Sequence, residues 1–275
     1  MFRLLNIEIH KLKHSRASKV LIIFYFLLLT SIALIAAIKF DIGPIKFHLA
    51  EQGIFNFPYI WHFNTYIAAI FKFFLLLVIV SMMANEYSNK TLKQNLIDGL
   101  SKKEFILSKF YTVLLLAILS TIFVFIVSLI LGYVYSDFTE FAILTTDLIY
   151  FVAFFVKLTG FFSFGLFLGI LVKRSAFAVG AMIVWSMIEG FTKGMIYWKF
   201  EDYVSEIMRF FPLEAMSNLI KEPFTRLSAV KTVAKQVGED LSKDFSVQYL
   251  DVIIVLIWTI IFIYLSYNLL KRRDL

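Results

Sequence analysis

Long apolar runs separated by short polar segments organise this chain. Six runs are long enough to cross the roughly 30 Å hydrocarbon core of a bilayer at about 1.5 Å per residue. The runs are Val20–Ile38, Trp61–Ala84, Tyr111–Tyr135, Leu148–Val172, Ala176–Ile196 and Val252–Leu270. Because lipid offers backbone groups no hydrogen-bond partners, each run is predicted to be a transmembrane α-helix. The predicted fold class is therefore an all-α integral membrane protein with six spans.

Lysine and arginine residues beside the runs predict the orientation, because short cytoplasmic connections carry an excess of them. Fifteen fall on one side: Arg3, Lys11, Lys13, Arg16, Lys19, Lys90, Lys93, Lys102, Lys103, Lys109, Lys173, Arg174, Lys271, Arg272 and Arg273. The first connection on the other side holds only Lys39 and Lys46, and the 137–147 connection holds none. Both termini are therefore predicted to be cytoplasmic. The segment 197–249, with seven basic and eight acidic residues, is predicted to lie outside.

Composition agrees with a membrane protein and excludes several chemistries. The chain is 60% hydrophobic and 17% charged, with a mean hydropathy of +0.81, whereas soluble domains are about 25% charged. It has no cysteine and four histidines without metal-ligand spacing, so no thiolate chemistry and no metal site are predicted. The basic flanks account for the net charge of +7, and nucleic acid is not a predicted partner. An intramembrane enzyme is disfavoured because the runs hold few polar groups.

The arm 1–19 is predicted to form a basic amphipathic helix on the cytoplasmic membrane surface. Phe2, Leu5, Ile9 and Leu12 recur at spacings of three and four residues and share one stripe. The alternative is an ordinary basic flank without helical structure.

The polar segment 85–110, which begins NEYSNKTLKQNLIDGLSKKEFILSK, contains a sequence of helix signals. Thr91 and Gln94 have the spacing of a capping box, and Gly99 suits a left-handed C-terminal cap. They predict a two-turn helix from about residue 92 to 98. Ser101 and Glu104 form a second capping box, which predicts the start of the next helix.

This segment resembles the cytoplasmic segment after the second span of ABC-2-type transporter permeases. The matching residues are Glu86, Thr91, Leu92, Leu96, Ser101, Lys102 and Lys109. The chain departs from the family pattern at Lys90, where glycine is common, and at 98–100, where proline is frequent. The six runs and the basic arm agree with the family.

The resemblance implies that the segment is a coupling helix for a separate ABC ATP-binding subunit. Leu92 and Leu96 would fill a groove on that subunit, and basic residues would meet charges on its rim. The predicted coupling residues are Glu86, Thr91, Leu92, Lys93, Leu96, Leu100, Ser101, Lys102 and Lys103. The alternative is that these residues only cap and flank two membrane helices.

The absence of an ATP-binding motif indicates that the energy for transport comes from another chain. The chain has no G-x-x-x-x-G-K-[ST] loop, so no cofactor is predicted on it, and ATP and Mg²⁺ would bind the partner subunit. Six spans are half the usual complement of such a transporter, which implies a second permease copy, identical or related. Gly165 and Gly169 form a G-x-x-x-G motif that could serve that pairing or packing within one chain.

Three charges inside the runs remain. Lys72, Lys157 and Glu189 lie in the outer halves of their runs, where a charge is expensive unless it is paired or faces water. They are predicted to form an ion pair between Glu189 and one lysine, or to line a substrate path; the alternative for Lys72 is that its ammonium reaches the outer membrane surface. In 197–249, an apolar repeat from Leu227 to Leu241 predicts a short outer helix.

The chain is thus predicted to be one permease domain over 1–275 in a bacterial cytoplasmic (inner) membrane. Its predicted function is the membrane-spanning subunit of an ABC exporter. The alternative is a non-transporting resistance, immunity or scaffold protein. The sequence does not indicate the substrate.

Overall fold

Helices dominate the computed structural model, which describes residues 2–37, 39–42, 45–48, 53–226 and 244–273. The first two helices, α1 (Phe2–His14) and α2 (Arg16–Ala37), meet at an angle of 90°. Two antiparallel strands follow, β1 (Lys39–Ile42) and β2 (Ile45–His48), with Ile42 opposite Ile45. The helix expected in the arm is therefore present as α1, with Leu12 buried and Leu5 and Ile9 half-buried.

The rest of the chain is a bundle of long helices with short ones at its two ends. The helices are α3 (Tyr59–Ile70), α4 (Lys72–Ser88), α5 (Thr91–Ile97), α6 (Lys102–Tyr135), α7 (Phe141–Leu144), α8 (Ile149–Val172), α9 (Ser175–Lys199), α10 (Val204–Met208), α11 (Pro212–Asn218) and α12 (Tyr249–Lys271). Single turns of 3₁₀ helix occupy Glu201–Tyr203 and Phe224–Arg226. The outer helix predicted from Leu227 to Leu241 lies outside the described residues.

Helix length and composition support a multi-pass membrane protein. Among the described residues, four segments can each cross a bilayer: Lys102–Tyr135, Phe141–Val172, Ser175–Lys199 and Tyr249–Lys271. Two bent pairs, α1 with α2 and α3 with α4, bring the number to six if each pair crosses as one span. The second pair bends by 43° at Phe71, in the middle of the predicted second span.

Helix α8 is the centre of the bundle and α9 is at its edge. Helix α8 packs against α3, α4, α6, α9 and α12, and most of its residues are buried. By contrast, only Ala178, Met182 and Glu189 of the 25 residues in α9 are buried. The opposite face of α9 therefore has no partner among the described residues of this chain.

Gly165 and Gly169 allow α8 to approach α4 closely. A Cβ atom on Gly165 would lie 2.2 Å from Leu76 Cδ1, and one on Gly169 would lie 3.2 Å from Met83 Cβ. Small residues let membrane helices gain van der Waals contact where lipid supplies no hydrophobic drive. Of the two roles predicted for the G-x-x-x-G motif, the structure supports packing within one chain, because α4 already covers this face.

We expect Gly165→Val to lower the unfolding free energy by about 1–3 kcal/mol, because the new methyl groups would overlap the buried Leu76 side chain. Thermal unfolding of the purified protein in detergent measures this loss. Gly180→Val is the matched control, since a Cβ at Gly180 has no neighbour within 4 Å. Equal stability of the two variants would contradict the packing role.

Candidate functional site

Two glutamates and two lysines form a buried ion cluster where α1, α4 and α6 meet. We use "ion cluster" for Glu8 and Lys11 of α1, Glu86 of α4 and Lys109 of α6. The Lys109 ammonium lies 2.6 Å from Glu8 Oε2 and 2.5 Å from Glu86 Oε1. Lys11 Nζ lies 2.7 Å from Glu86 Oε1 and 3.4 Å from Glu8 Oε1. Lys109, Glu8 and Glu86 are at most 3% exposed.

The charges of the ion cluster balance, and each member lies close to a group of opposite sign. Removing a carboxylate or an ammonium from water costs several kcal/mol, and only close contacts with groups of opposite charge offset that cost. Burial alone would lower the pKa of Lys11, but Glu8 and Glu86 outweigh burial and raise that pKa above its ordinary value. Lys11 therefore keeps its positive charge at neutral pH. The cluster holds two positive and two negative groups.

Helix α5 is attached to the ion cluster through Glu86. The second carboxylate oxygen of Glu86 accepts hydrogen bonds from Thr91 Oγ1 at 2.6 Å and from Asn95 Nδ2 at 3.4 Å. Thr91 is the first residue of α5, and Asn95 lies one turn later. One buried carboxylate thus joins α1, α5 and α6 to the end of α4.

Backbone caps fix the two ends of α5. Lys90 precedes the helix with φ of 55°, in the left-handed region. Gly99 has φ of 96°, and the amides of Gly99 and Leu100 donate to the carbonyls of Leu96 and Asn95, which completes a Schellman cap. The left-handed cap predicted at Gly99 is confirmed.

Of the two predicted capping boxes, one is correct. Ser101 and Glu104 form the reciprocal bonds at the start of α6, with Ser101 Oγ accepting from the Glu104 amide at 3.1 Å. The box predicted for Thr91 and Gln94 is wrong. Thr91 is already helical and its hydroxyl donates to Glu86. The side-chain amide of Gln94, through Nε2, donates to Asp98 Oδ1.

The exposed apolar residue of α5 differs from the expected ones. Leu92 is 2% exposed and belongs to the bundle core, and Leu96 is half-buried against it. Ile97 is 69% exposed, and Lys93 beside it is also exposed. The predicted contact residues are the leucines, because they repeat every four residues. In the structure that stripe faces the protein's own core.

The remaining basic residues of the segment have different surroundings. Lys103 is exposed, whereas Lys102 donates to the carbonyl oxygens of Lys271 at 3.2 Å and Arg273 at 3.0 Å. Lys102 therefore satisfies the C-terminal end of α12, where carbonyl groups have no helical partner. Leu100 is half-buried and Ser101 is exposed.

The charges predicted inside the spans lie at the other end of the bundle and enclose α11. Glu189 accepts hydrogen bonds from the backbone amides of Leu213 at 3.1 Å and Glu214 at 3.0 Å, and from Trp185 Nε1 at 2.6 Å. At the opposite end of α11, Lys157 Nζ lies 3.4 Å from the carbonyl oxygens of Ser217 and Ile220.

This arrangement places a negative charge at the N-terminus of α11 and a positive charge at its C-terminus. Both signs complement the helix dipole. The predicted ion pair between Glu189 and either lysine is therefore wrong, because backbone groups of α11 take the place of the opposite charge. Lys72 contacts the Phe161 ring, with its ammonium 4.6 Å from the ring centroid.

Comparison with protein families identifies the family of this chain. A family model described as "ABC-2 family transporter protein" matches residues 9–270, nearly the whole chain. The chain belongs to the ABC-2 transporter family. As the membrane component of an ABC transporter, this permease is embedded in a membrane and is not itself the catalytic subunit. No curated protein matched the chain.

The permease contains site residues that sequence reasoning did not select. Sequence patterns single out neither Glu8 nor Ile97, and they present Lys109 only as a family match and a basic flank. The signal for Glu8 was its place within the apolar stripe of α1, three residues after Leu5 and four before Leu12. A carboxylate on an apolar face requires a buried cation, and Lys109 at the start of the third run is one.

We expect Lys109→Met to destabilise the permease by about 3–5 kcal/mol, because Glu8 and Glu86 would remain buried without their shared ammonium. Unfolding in detergent, followed by tryptophan fluorescence, measures the loss. Lys103→Met, on the exposed face one and a half turns earlier, should stay within about 0.5 kcal/mol of the parent. Adding Glu8→Gln to Lys109→Met should recover part of the loss, and strict additivity would contradict direct coupling.

Proposed function

We propose that the permease is the membrane-spanning subunit of an ABC exporter and that a separate ATP-binding subunit drives it by docking on α5. The observation that carries the proposal is the attachment of a short helix with an exposed outer face to a buried ion cluster. The partner subunit would hold ATP and Mg²⁺. The basic flanks support a cytoplasmic position for α1, α5 and both termini, in a bacterial inner membrane.

The ion cluster supplies a physical route for the coupling. A force applied to α5 is carried by Thr91 and Asn95 to Glu86, and from Glu86 to Lys109 and Lys11. Helices α4 and α6 continue from these residues into the bilayer. Stretching this network would separate buried charges, so α1, α4, α5 and α6 should move together.

The docking surface is proposed to be Ile97 and Lys93 of α5 with Lys103 at the start of α6, rather than Leu92. Exposed apolar residues surrounded by charge are typical of protein contacts. Leu96 and Leu100 are half-buried and would contribute their exposed edges. Family membership favours the transport function over the non-transporting alternative. A non-transporting protein would not need an exposed docking surface on α5.

We expect Ile97→Asp to abolish co-purification with the cognate ATP-binding subunit without lowering the unfolding temperature, because Ile97 makes no core contact. Ile97→Leu is the matched control and should retain association. Leu92→Ala should lower the unfolding temperature, because it removes buried surface. Normal association of the Ile97→Asp variant would contradict docking at this position.

A second permease copy is proposed to pack against the exposed face of α9. Gly190 and Gly194 form a G-x-x-x-G motif and have open space where a Cβ would be. Met187 of the same face is 68% exposed. Unlike Gly165 and Gly169, these glycines have no neighbour within the described chain.

Since the chain contains no cysteine, single cysteines can test this pairing directly. We expect Gly194→Cys to form a disulfide-linked dimer in oxidised membranes, visible on a non-reducing gel. Ile260→Cys, on the 68% exposed lipid-facing side of α12, should remain monomeric. Cross-linking through residue 260 but not through residue 194 would place the second copy elsewhere.

A further inference from the structure

Lys72 is a cation inside the bundle for which the structure provides no counter-ion. It begins α4 at the 43° bend of the second span. Among the described side chains, its ammonium contacts the Phe161 ring and has no carboxylate or hydroxyl within bonding distance. A lysine at membrane depth is costly unless it is paired, faces water or serves a function.

Lys72 lines a cavity of about 400 Å³ bounded by α4, α8, α9 and α11. The cavity also holds Glu189 and Glu214, which could be expected to neutralise it. However, Glu189 already accepts three hydrogen bonds from Trp185 and α11. Glu214 is paired with Lys193 at 2.6 Å. Neutral donors leave the charge of Glu189 in place, but both carboxylates are engaged elsewhere, so the Lys72 ammonium is a donor without an acceptor among the described residues.

The break in the second span lies beside the same ammonium. Helix α4 starts at Lys72 without a side-chain cap, one residue after α3 ends, so the partial charges of the two helix ends meet there. Lys157 lies behind the cavity on the carbonyl groups of α11. Breaks in membrane helices are known places at which ligand groups bind.

The walls beside Lys72 are apolar and partly open. Phe73 is 47% exposed and Ile183 is 49% exposed, and both line the cavity together with Phe161. Gly190 of the uncovered α9 face also lines it. A ligand with a charged head at Lys72 could therefore keep a hydrocarbon tail against these residues, on the side where the second copy is proposed to pack.

We propose that this cavity binds the head group of an anionic amphiphile, a phosphate or carboxylate on a hydrocarbon chain, through Lys72. Calling this ligand the substrate class rests on the transport function proposed above. An ammonium–phosphate hydrogen bond is charge-assisted and stronger than a neutral one. An anionic head group would give the Lys72 ammonium the acceptor that the described residues do not provide.

The test measures binding to the purified permease in phosphatidylcholine nanodiscs, without an ATP-binding subunit. The probes are dodecyl phosphate, dodecyltrimethylammonium and inorganic phosphate. We expect dodecyl phosphate to bind the parent and Lys72→Arg, and to bind Lys72→Gln roughly tenfold more weakly, as loss of a charged hydrogen bond predicts. Lys199→Gln, an exposed lysine at the end of α9, is the matched control and should bind normally.

Several outcomes would overturn the proposal. Equal binding of dodecyl phosphate by Lys72→Gln and the parent removes the role of Lys72, and preferential binding of the cationic probe removes the anion specificity. If inorganic phosphate binds as tightly as dodecyl phosphate, the hydrocarbon chain contributes nothing to binding and the ligand is not an amphiphile. The Lys72→Gln variant should unfold at the same or a higher temperature, because an uncompensated charge is lost. A lower unfolding temperature, or failure of both Lys72→Gln and Lys72→Met to fold, would make Lys72 a structural ion.

Failure of this inference is distinguishable from failure of the proposed function. Ile97→Asp should keep full binding of dodecyl phosphate, because α5 lies at the other end of the bundle. If the parent chain binds the probe through Lys72 but no ATP-binding subunit associates through α5, the coupling proposal fails and the site remains.

Discussion

The buried contact between Glu86 and Lys109 is the constraint on which this end of the permease depends. Both groups are buried, and each has a second partner of opposite sign, Lys11 for Glu86 and Glu8 for Lys109. Satisfying all four charges at once determines where α1 crosses α6 and how α5 leaves α4. Because an unpaired buried charge is destabilising, these contacts hold α5 in a defined position, and with it the surface that we propose for docking.

The same electrostatic reasoning explains the other end of the bundle, with a different partner for each charge. Glu189 and Lys157 do not meet, because the ends of α11 carry the partial charges that each requires. A seven-residue helix would be marginal alone. Held between a carboxylate and an ammonium, it closes one side of the cavity beside Lys72. Lys72 has no such partner among the described residues, which distinguishes it from Glu189 and Lys157.

The two ends are joined by close packing of α8 against α4. Gly165 and Gly169 bring the backbones together between the ion cluster and the Lys72 cavity, and both α4 contacts are buried. Movement of α4 at Glu86 therefore reaches the wall of the cavity through a tightly packed helix pair. The bend at Phe71 separates the part of the second span that carries Glu86 from the part that approaches the opposite end.

Hydropathy and helix signals by themselves determined the helical membrane class, the apolar runs and the caps at Gly99 and Ser101, and the resemblance of the 85–110 segment indicated the family. These depend on local chemistry and on the solvent around each segment, which are readable along the chain. Side-chain direction was decided only by tertiary structure. Leu92 and Ile97 are both apolar and both in α5, yet one faces the core and the other faces out, because Glu86 orients the helix through Thr91 and Asn95. Likewise, Glu8 gains its partner 101 residues away, and α11 replaces a lysine beside Glu189. Pairings across such separations depend on how the helices pack, which local periodicity does not encode.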